Sequence, residues 1–197
     1  MRWTRWIAVI SLASILTGAV LTLSCTTNSS KPVAMTAEQK IARGRYVSLI
    51  CACNDCHTPG SFYGFPDTTR RLSGSELGWQ GPWGISFPRN LTPDQATGIG
   101  SWSESDIVTA VRQGHRPNGT PLLPPMPWPM YANLSDDDAA ALAAYLKSIP
   151  AVDHKVPDVI PPGGKSTGIA MLTIPPPPGW DGRNLPPPPA DTSMKKQ

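Results

Sequence analysis

Cys53-Asn54-Asp55-Cys56-His57 constrains this chain more than any other stretch. Two cysteines two residues apart, with a histidine directly after the second, form C-x-x-C-H, the pattern through which a c-type haem is attached. The chemistry dictates the spacing. Two thiols must reach two vinyl groups on one edge of a porphyrin and form thioethers, and the adjacent imidazole then lies under the iron and ligates it. A fold with this pattern has to be built around a flat, apolar body. Two other uses of the cysteines compete. A C-x-x-C redox pair usually sits near a βαβ pattern, and none is visible here. A zinc site wants four ligands. Cys51, Cys53, Cys56 and His57 would supply them, but three cysteines within six residues are cramped for a tetrahedron.

The start of the chain reads as an export signal. Arg2 and Arg5 form a positive first region, Trp6 to Leu23 carries no charge, and small residues precede Cys25. Residues 1–24 are therefore expected to be a signal peptide or an N-terminal anchor. With Ser24 small before it, Cys25 is a candidate for lipidation, although Thr22 stands where the lipoprotein pattern usually has an aliphatic residue. A retained anchor of nearly spanning length is the alternative, and soluble release is a third outcome. All three place the domain outside the cytoplasm. Residues 25–35 read as a polar tether. Arg2 and Arg5 supply two of the three net positive charges, so the remainder is close to neutral and predicts no nucleic-acid partner.

Three helices are expected. The first starts at Thr36, where Thr36-Ala37-Glu38-Gln39 fits a capping box. It carries Ile41, Tyr46, Val47 and Ile50 as a rough apolar stripe and delivers the cysteines at its end. Gly44 costs up to about 1 kcal/mol against Ala in a helix, unless it lets another helix approach closely. Cys51 reads as a small buried hydrophobe, with a disulfide to Cys25 as the other option. The second helix spans 103–113, with Ser103 as cap and Gly114 as stop. The third begins at Ser135. Asp136, Asp137 and Asp138 sit at the positive end of its dipole, so they need no metal to explain them. Leu142, Tyr145, Leu146 and Ile149 form its apolar face, and Pro150 stops it.

Between Pro59 and Gly100 no periodicity is sustained. Structureless loops of that length are uncommon in compact domains unless something organises them, and a haem is such a body. Trp79, Trp83, Phe87 and Leu91 are candidate wall residues. The indole N–H groups of the two tryptophans, and Arg70, Arg71 and Arg89, are candidate partners for propionates. Pro121 to Met130 is proline-rich and therefore a stiff extended loop. Rigidity is what a weak thioether ligand needs, so Met126, Met130 and His115 are the candidates for a second iron ligand. Met126, between Pro125 and Pro127, has the most constrained backbone. Met130 is expected in the core and His115 in solvent. Residues 151–197 hold two four-proline runs and are expected to be mostly extended and partly disordered. A strap over the domain, a docking segment and a solvated tail all fit them.

Four stretches together resemble the bacterial class I, single-haem c-type cytochromes, in particular exported or membrane-tethered members related to cytochrome subunits of periplasmic dehydrogenases. They are Gly44-Arg45-Tyr46 leading to Cys53 through Pro59; Gly81-Pro82-Trp83-Gly84; Asn90-Leu91-Thr92-Pro93-Asp94 with Thr97-Gly98-Ile99-Gly100; and Pro125-Met126-Pro127-Trp128 followed by Tyr131 and Leu134-Ser135-Asp136. The resemblance covers residues 36–150. It implies an all-α fold, with three main helices and long loops wrapped around one haem. It also implies thioethers at Cys53 and Cys56, with His57 and Met126 as the axial ligands.

The expected function is that of a one-electron carrier, not an enzyme, holding one covalent haem c. Its partners would be redox proteins: a dehydrogenase as donor and an oxidase or quinone-linked acceptor. It would work on the periplasmic side of a bacterial membrane, held there through its N-terminus. A peroxidase-like enzyme would need an open iron position and nearby acid–base groups, and His115 and His154 sit in no such constellation. A gas sensor with a displaceable Met126 is the other alternative.

Overall fold

The computed structural model describes residues 34–172. Helix α1 (Ala37–Ile50) opens on the expected capping box: the Thr36 hydroxyl accepts from the Gln39 amide, and the Gln39 side chain accepts from the Thr36 amide. Ala52, in the left-handed conformation, separates α1 from the short helix α2 (Cys53–His57). Helix α3 (Glu104–Gln113) begins on a Ser103–Asp106 capping box and ends on Gly114 at φ +74°. The turn α4 (Trp128–Tyr131) leads to α5 (Asp136–Ser148), capped by Ser135. Helices α1 and α5 pack so closely that a Cβ on Gly44 would lie 1.9 Å from the carbonyl oxygen of Ala141. Gly44 is thus a packing residue, and its helix cost is offset at this contact. Val47, Leu72, Ile99, Ile107, Leu142, Tyr145 and Leu146 form the core, with Cys51 and Cys53 packed against it.

Of the stripe expected on α1 only Val47 is buried. Gly44, Val47 and Ser48 point inward, whereas Tyr46 and Ile50 are 50% and 59% exposed. Close approach selects small residues and leaves the larger ones outside. Arg43 pairs with Asp138 through two hydrogen bonds of 2.6 and 3.1 Å. Lys147 donates to the carbonyls of Ile99, Gly100 and Trp102 and so ties α5 to the loop before α3. Among the described residues no helix is long and apolar enough to cross a membrane.

The fold is not all-α. A hairpin of β1 (Gly78–Gly81) and β2 (Gly84–Ser86) pairs antiparallel, and β3 (Ala170–Leu172) lies parallel to β1, giving the order β2-β1-β3. The helices are short and a three-stranded sheet stands beside them, which overturns the all-α expectation. The reason is length. Strands of three or four residues are too short to show a period: β1 and β2 occur in the segment where none was visible, and β3 lies in the stretch expected to be a proline-rich tail. Gly84 turns the hairpin at φ +96°, and a Cβ there would lie 2.0 Å from the carbonyl oxygen of Ile160.

Residues 151–172 run along the domain as a strap. From 152 to 156 they alternate, with Val152, His154 and Val156 turned inward and Asp153 and Lys155 exposed. Ile160 then exchanges two backbone hydrogen bonds with Ile85 before β3 joins the sheet. In 152–156 the extended strand's period of two does show in the sequence, as Val-Asp-His-Lys-Val.

Candidate functional site

Helix α2 places Cys53 and Cys56 three residues apart, on one face. Burial pushes both thiols up, Cys53 to about 12, with the neighbouring Cys51 adding to the effect. A redox C-x-x-C pair depends on a thiolate of lowered pKa, so this environment disfavours that alternative. The zinc alternative also lacks geometry: among the described residues no three His, Cys, Asp or Glu side chains are grouped so as to hold a metal ion.

His57 ends α2. Its Nδ1 lies 2.7 Å from the carbonyl oxygen of Arg89. A carbonyl only accepts, so Nδ1 carries the proton and Nε2 is left with a free lone pair. Burial holds the imidazole pKa below its usual value, partly opposed by the bond to Arg89, and so keeps the ring neutral. A neutral ring of fixed tautomer, with one nitrogen anchored and the other open, is the state in which a histidine ligates a metal. The backbone around it is anchored too. The His57 carbonyl accepts from the Gly74 amide at 2.8 Å. The Thr58 hydroxyl accepts from the Leu72 amide at 2.9 Å. Leu72 is buried at φ +60°, a conformation that non-glycine residues keep only when their surroundings force it.

Among the described residues three buried side-chain nitrogens have no hydrogen-bond partner: Nε1 of Trp79 on β1, Nε1 of Trp83 in the hairpin turn, and Nε of Arg89 just after β2. Leaving such donors unpaired in a protein interior costs about 1–3 kcal/mol each. Arg116 feels the charge of Arg89: burial first, and that charge second, hold its guanidinium below its usual pKa. Arg89 and Arg116 are thus neighbouring cations, Arg89 reaching Asp158 at 3.8 Å through its other guanidinium nitrogen, and the two indole N–H groups are unpaired donors in the β1–β2 hairpin. Arg70 and Arg71 are used elsewhere, Arg70 by Asp67 and Arg71 by the side-chain oxygen of Asn54.

Met126 is half-buried in its proline loop. That loop is tied to the same hairpin, because the Ser86 hydroxyl donates to the Pro124 carbonyl at 2.5 Å. Its far end packs on α3, where Trp128 covers Gly114 so tightly that a Cβ would lie 2.5 Å from the indole. Tyr131 donates to the Cys51 carbonyl at 2.5 Å, which links the loop to the end of α1. Met130 is 72% exposed and is not a core residue, contrary to expectation, because the α4 turn directs it outward. His115 is exposed, with Nδ1 on the Gln113 carbonyl. Cys25 lies outside the described residues.

Sequence comparison finds relatives among bacterial cytochromes. The chain is 36% identical over 126 residues to the cytochrome c subunit of the quinone-dependent alcohol dehydrogenase of Gluconobacter oxydans (strain 621H), covering 62% of this chain and 24% of the relative. It is 38% identical over 105 residues to the gluconate 2-dehydrogenase cytochrome c subunit of Pantoea cypripedii, covering 53% and 22%. A diheme cytochrome c-type protein of Cereibacter sphaeroides is 30% identical over 113 residues, covering 57% and 37%. The chain is a bacterial c-type cytochrome, related to the cytochrome subunits of dehydrogenases. No family model matches it.

The cytochrome spans about a quarter of the length of the two dehydrogenase subunits. The group that a c-type cytochrome implies is haem c. The residues on the page fit that group. Two thiols on one helix face precede a neutral imidazole with one free nitrogen. The unpaired nitrogens of Trp79, Trp83 and Arg89 suit the propionates. Trp79 and Trp83 and Arg89 were legible as candidates in the sequence. Arg116 was not, because a lone arginine after a helix stop carries no pattern; only its packing beside Arg89 reveals it.

Proposed function

We propose that this cytochrome carries one electron at a time on a single haem c, joined by thioethers to Cys53 and Cys56 and ligated by His57 and Met126. The observation that carries this is the anchored His57 ring, neutral and with Nε2 free, on the same short helix as the two cysteines. The sequence holds one C-x-x-C-H, which supports one haem even though a relative is diheme. When bound, the haem supplies an iron couple that takes and gives a single electron. The chain's part is to fix the ligands and bury the group. The Nδ1–H bond to the Arg89 carbonyl would raise the basicity of the His57 imidazole, and a thioether supplied by Met126 would raise the potential. Arg89 and Arg116 would neutralise the propionates, and the indole N–H groups of Trp79 and Trp83 would donate to them.

The donor in this reading is a dehydrogenase catalytic subunit, and the acceptor is an oxidase or quinone-linked protein. The protein is exported to the periplasmic side of the membrane, with residues 1–24 as signal or anchor and Cys25 as the site of lipidation. Residues 36–150 hold the haem. The test is chemical. Protein made with haem-attachment machinery should keep its colour through denaturation and acid–organic extraction, with one iron per chain. Changing Cys53 and Cys56 together to Ala should abolish attachment. Haem lost entirely from the wild type on extraction, or two irons per chain, would overturn the proposal.

A further inference from the structure

The anchors of His57 have a second layer behind them, and the strap provides it. On the ring side, His57 bonds to the Arg89 carbonyl. The next residue, Asn90, is 1% exposed and donates to the Val152 carbonyl at 2.8 Å and to the Thr97 hydroxyl at 3.0 Å. The Val152 amide in turn donates to the Thr92 hydroxyl at 3.1 Å. On the backbone side, the His57 carbonyl bonds to the Gly74 amide. Gly74 lies directly under Val156: a Cβ on it would come 2.6 Å from the Val156 side chain. Beside it, Nδ1 of His154 lies 2.9 Å from the Ser73 carbonyl and 3.1 Å from its hydroxyl, and Nε2 lies 2.7 Å from Glu76. The three inward residues of the alternating run therefore touch the neighbours of both groups that anchor His57. Such density of buried, directional contacts is more than is needed to hold down a tail.

We propose that Val152, His154 and Val156 are positioning residues for the iron ligand: acting through Asn90, Ser73 and Gly74, they set the His57 ring plane and the strength of its bond to the Arg89 carbonyl. The proposal rests on the reading of His57 as the ligand. Outer partners of a metal-bound histidine fix its orientation and raise its basicity. A slack strap lets the Arg89 carbonyl drift, which weakens that bond. The imidazole is then a poorer donor to ferric iron, so the reduction potential rises and the ring plane is less well defined.

The experiment uses the full haem-loaded protein. Midpoint potentials and the electron paramagnetic resonance of the ferric state, whose g-values report ligand-plane orientation, are measured for wild type, His154→Ala, His154→Asn and Val156→Ala. The double variant Asp153→Ala/Lys155→Ala alters only the outward residues and leaves net charge unchanged. His154→Ala and Val156→Ala should raise the potential and broaden or shift the g-values. The Asn variant, whose amide N–H still reaches Ser73, should return towards wild type, and the double variant should match it. A lower melting temperature with unchanged potential and g-values would make the strap merely structural and overturn the proposal. So would an equal shift in the double variant. If His154→Ala does not fold, Val156→Ala and His154→Asn decide. The wild type keeps the two readings apart: a His-ligated spectrum there with unresponsive variants overturns the strap alone, whereas a wild type without it overturns the assignment of His57.

Discussion

Between α1 and α5 there is no room for a methyl group: a Cβ on Gly44 would lie 2.5 Å from the carbonyl carbon of Ala141 as well as against its oxygen. Between the loops at 57–76 and 86–97 and the strap, contact is made instead by side chains bonded to backbone. Among the described residues, all of the buried polar ones except Ser48 lie in this second region. The interior of the helical region is therefore held by shape and apolar contact, with the directional bonds of Arg43 to Asp138 and of Lys147 to the loop before α3 towards its surface. The loop region is held by hydrogen bonds, which have direction. His57 sits at the junction. Its helix comes from the first region, and the orientation of its ring comes from the second. A ligand that must present one nitrogen at one angle is better fixed by directional bonds than by packing.

Breaking each region separately sharpens the contrast. The largest effect should come from Gly44→Val. The obstacle is backbone, which cannot yield as a side-chain tip does, so the loss should sit at the upper end of overpacking costs, about 3 kcal/mol or more. Chemical denaturation should show it as a lower midpoint with an unchanged slope. If haem still attaches, the His57 environment should be little altered, because the bonds to Arg89 and Gly74 do not involve α5.

Asn90→Ala should cost less in stability and more at the ligand. It removes the acceptor for the Thr92 amide and the donor for the Val152 carbonyl, both in a buried setting, for about 2 kcal/mol. Thermal unfolding gives the first quantity. The ferric spectrum gives the second, and it should change in Asn90→Ala but not in Gly44→Val. The opposite assignment would dissolve the distinction between the regions.

What was legible in the sequence follows the same division. The caps at Thr36, Ser103 and Ser135 were readable because an N-cap is a local event with a short pattern. Gly44 was readable as one of two options, and the contact with Ala141 decides between them. The loop region was readable only as residue types. Trp79, Trp83 and Arg89 could be named as candidates, but not the bond from His57 to the Arg89 carbonyl, which joins residues 32 apart in sequence through a backbone atom. The strands were missed because they are short, and Gly84-Ile85-Ser86 is besides buried on both faces and has no alternation to read. The strap was readable in part, through its short alternation at 152–156, but the prolines on either side drew it into the tail.

The smallest effect belongs to the surface of the helical region. The hydrogen bonds from Arg43 hold the Asp138 carboxyl below its usual pKa of 3.8, with the charge of Arg43 adding to them. A carboxyl lowered in the folded state contributes stability that is fully present above its unfolded pKa and is lost as pH falls through its folded one. The melting temperatures of wild type and Arg43→Ala should therefore differ slightly near neutrality and converge below about pH 4. A gap that stayed constant at all pH values would mean that Arg43 acts through its contact with the Tyr46 ring, 5.0 Å away, and not through Asp138.

The central claim is that His57 and Met126 together close the iron. Ferric haem with a thioether ligand shows a weak charge-transfer band in the far red, and a closed ferrous haem is slow to take up carbon monoxide. The wild type should show the band and resist carbon monoxide. Met126→Ala should lose the band, admit carbon monoxide and show a lower potential, while Met130→Ala should resemble the wild type. A wild type without the band, or a band that survives Met126→Ala and disappears in Met130→Ala, would contradict the account.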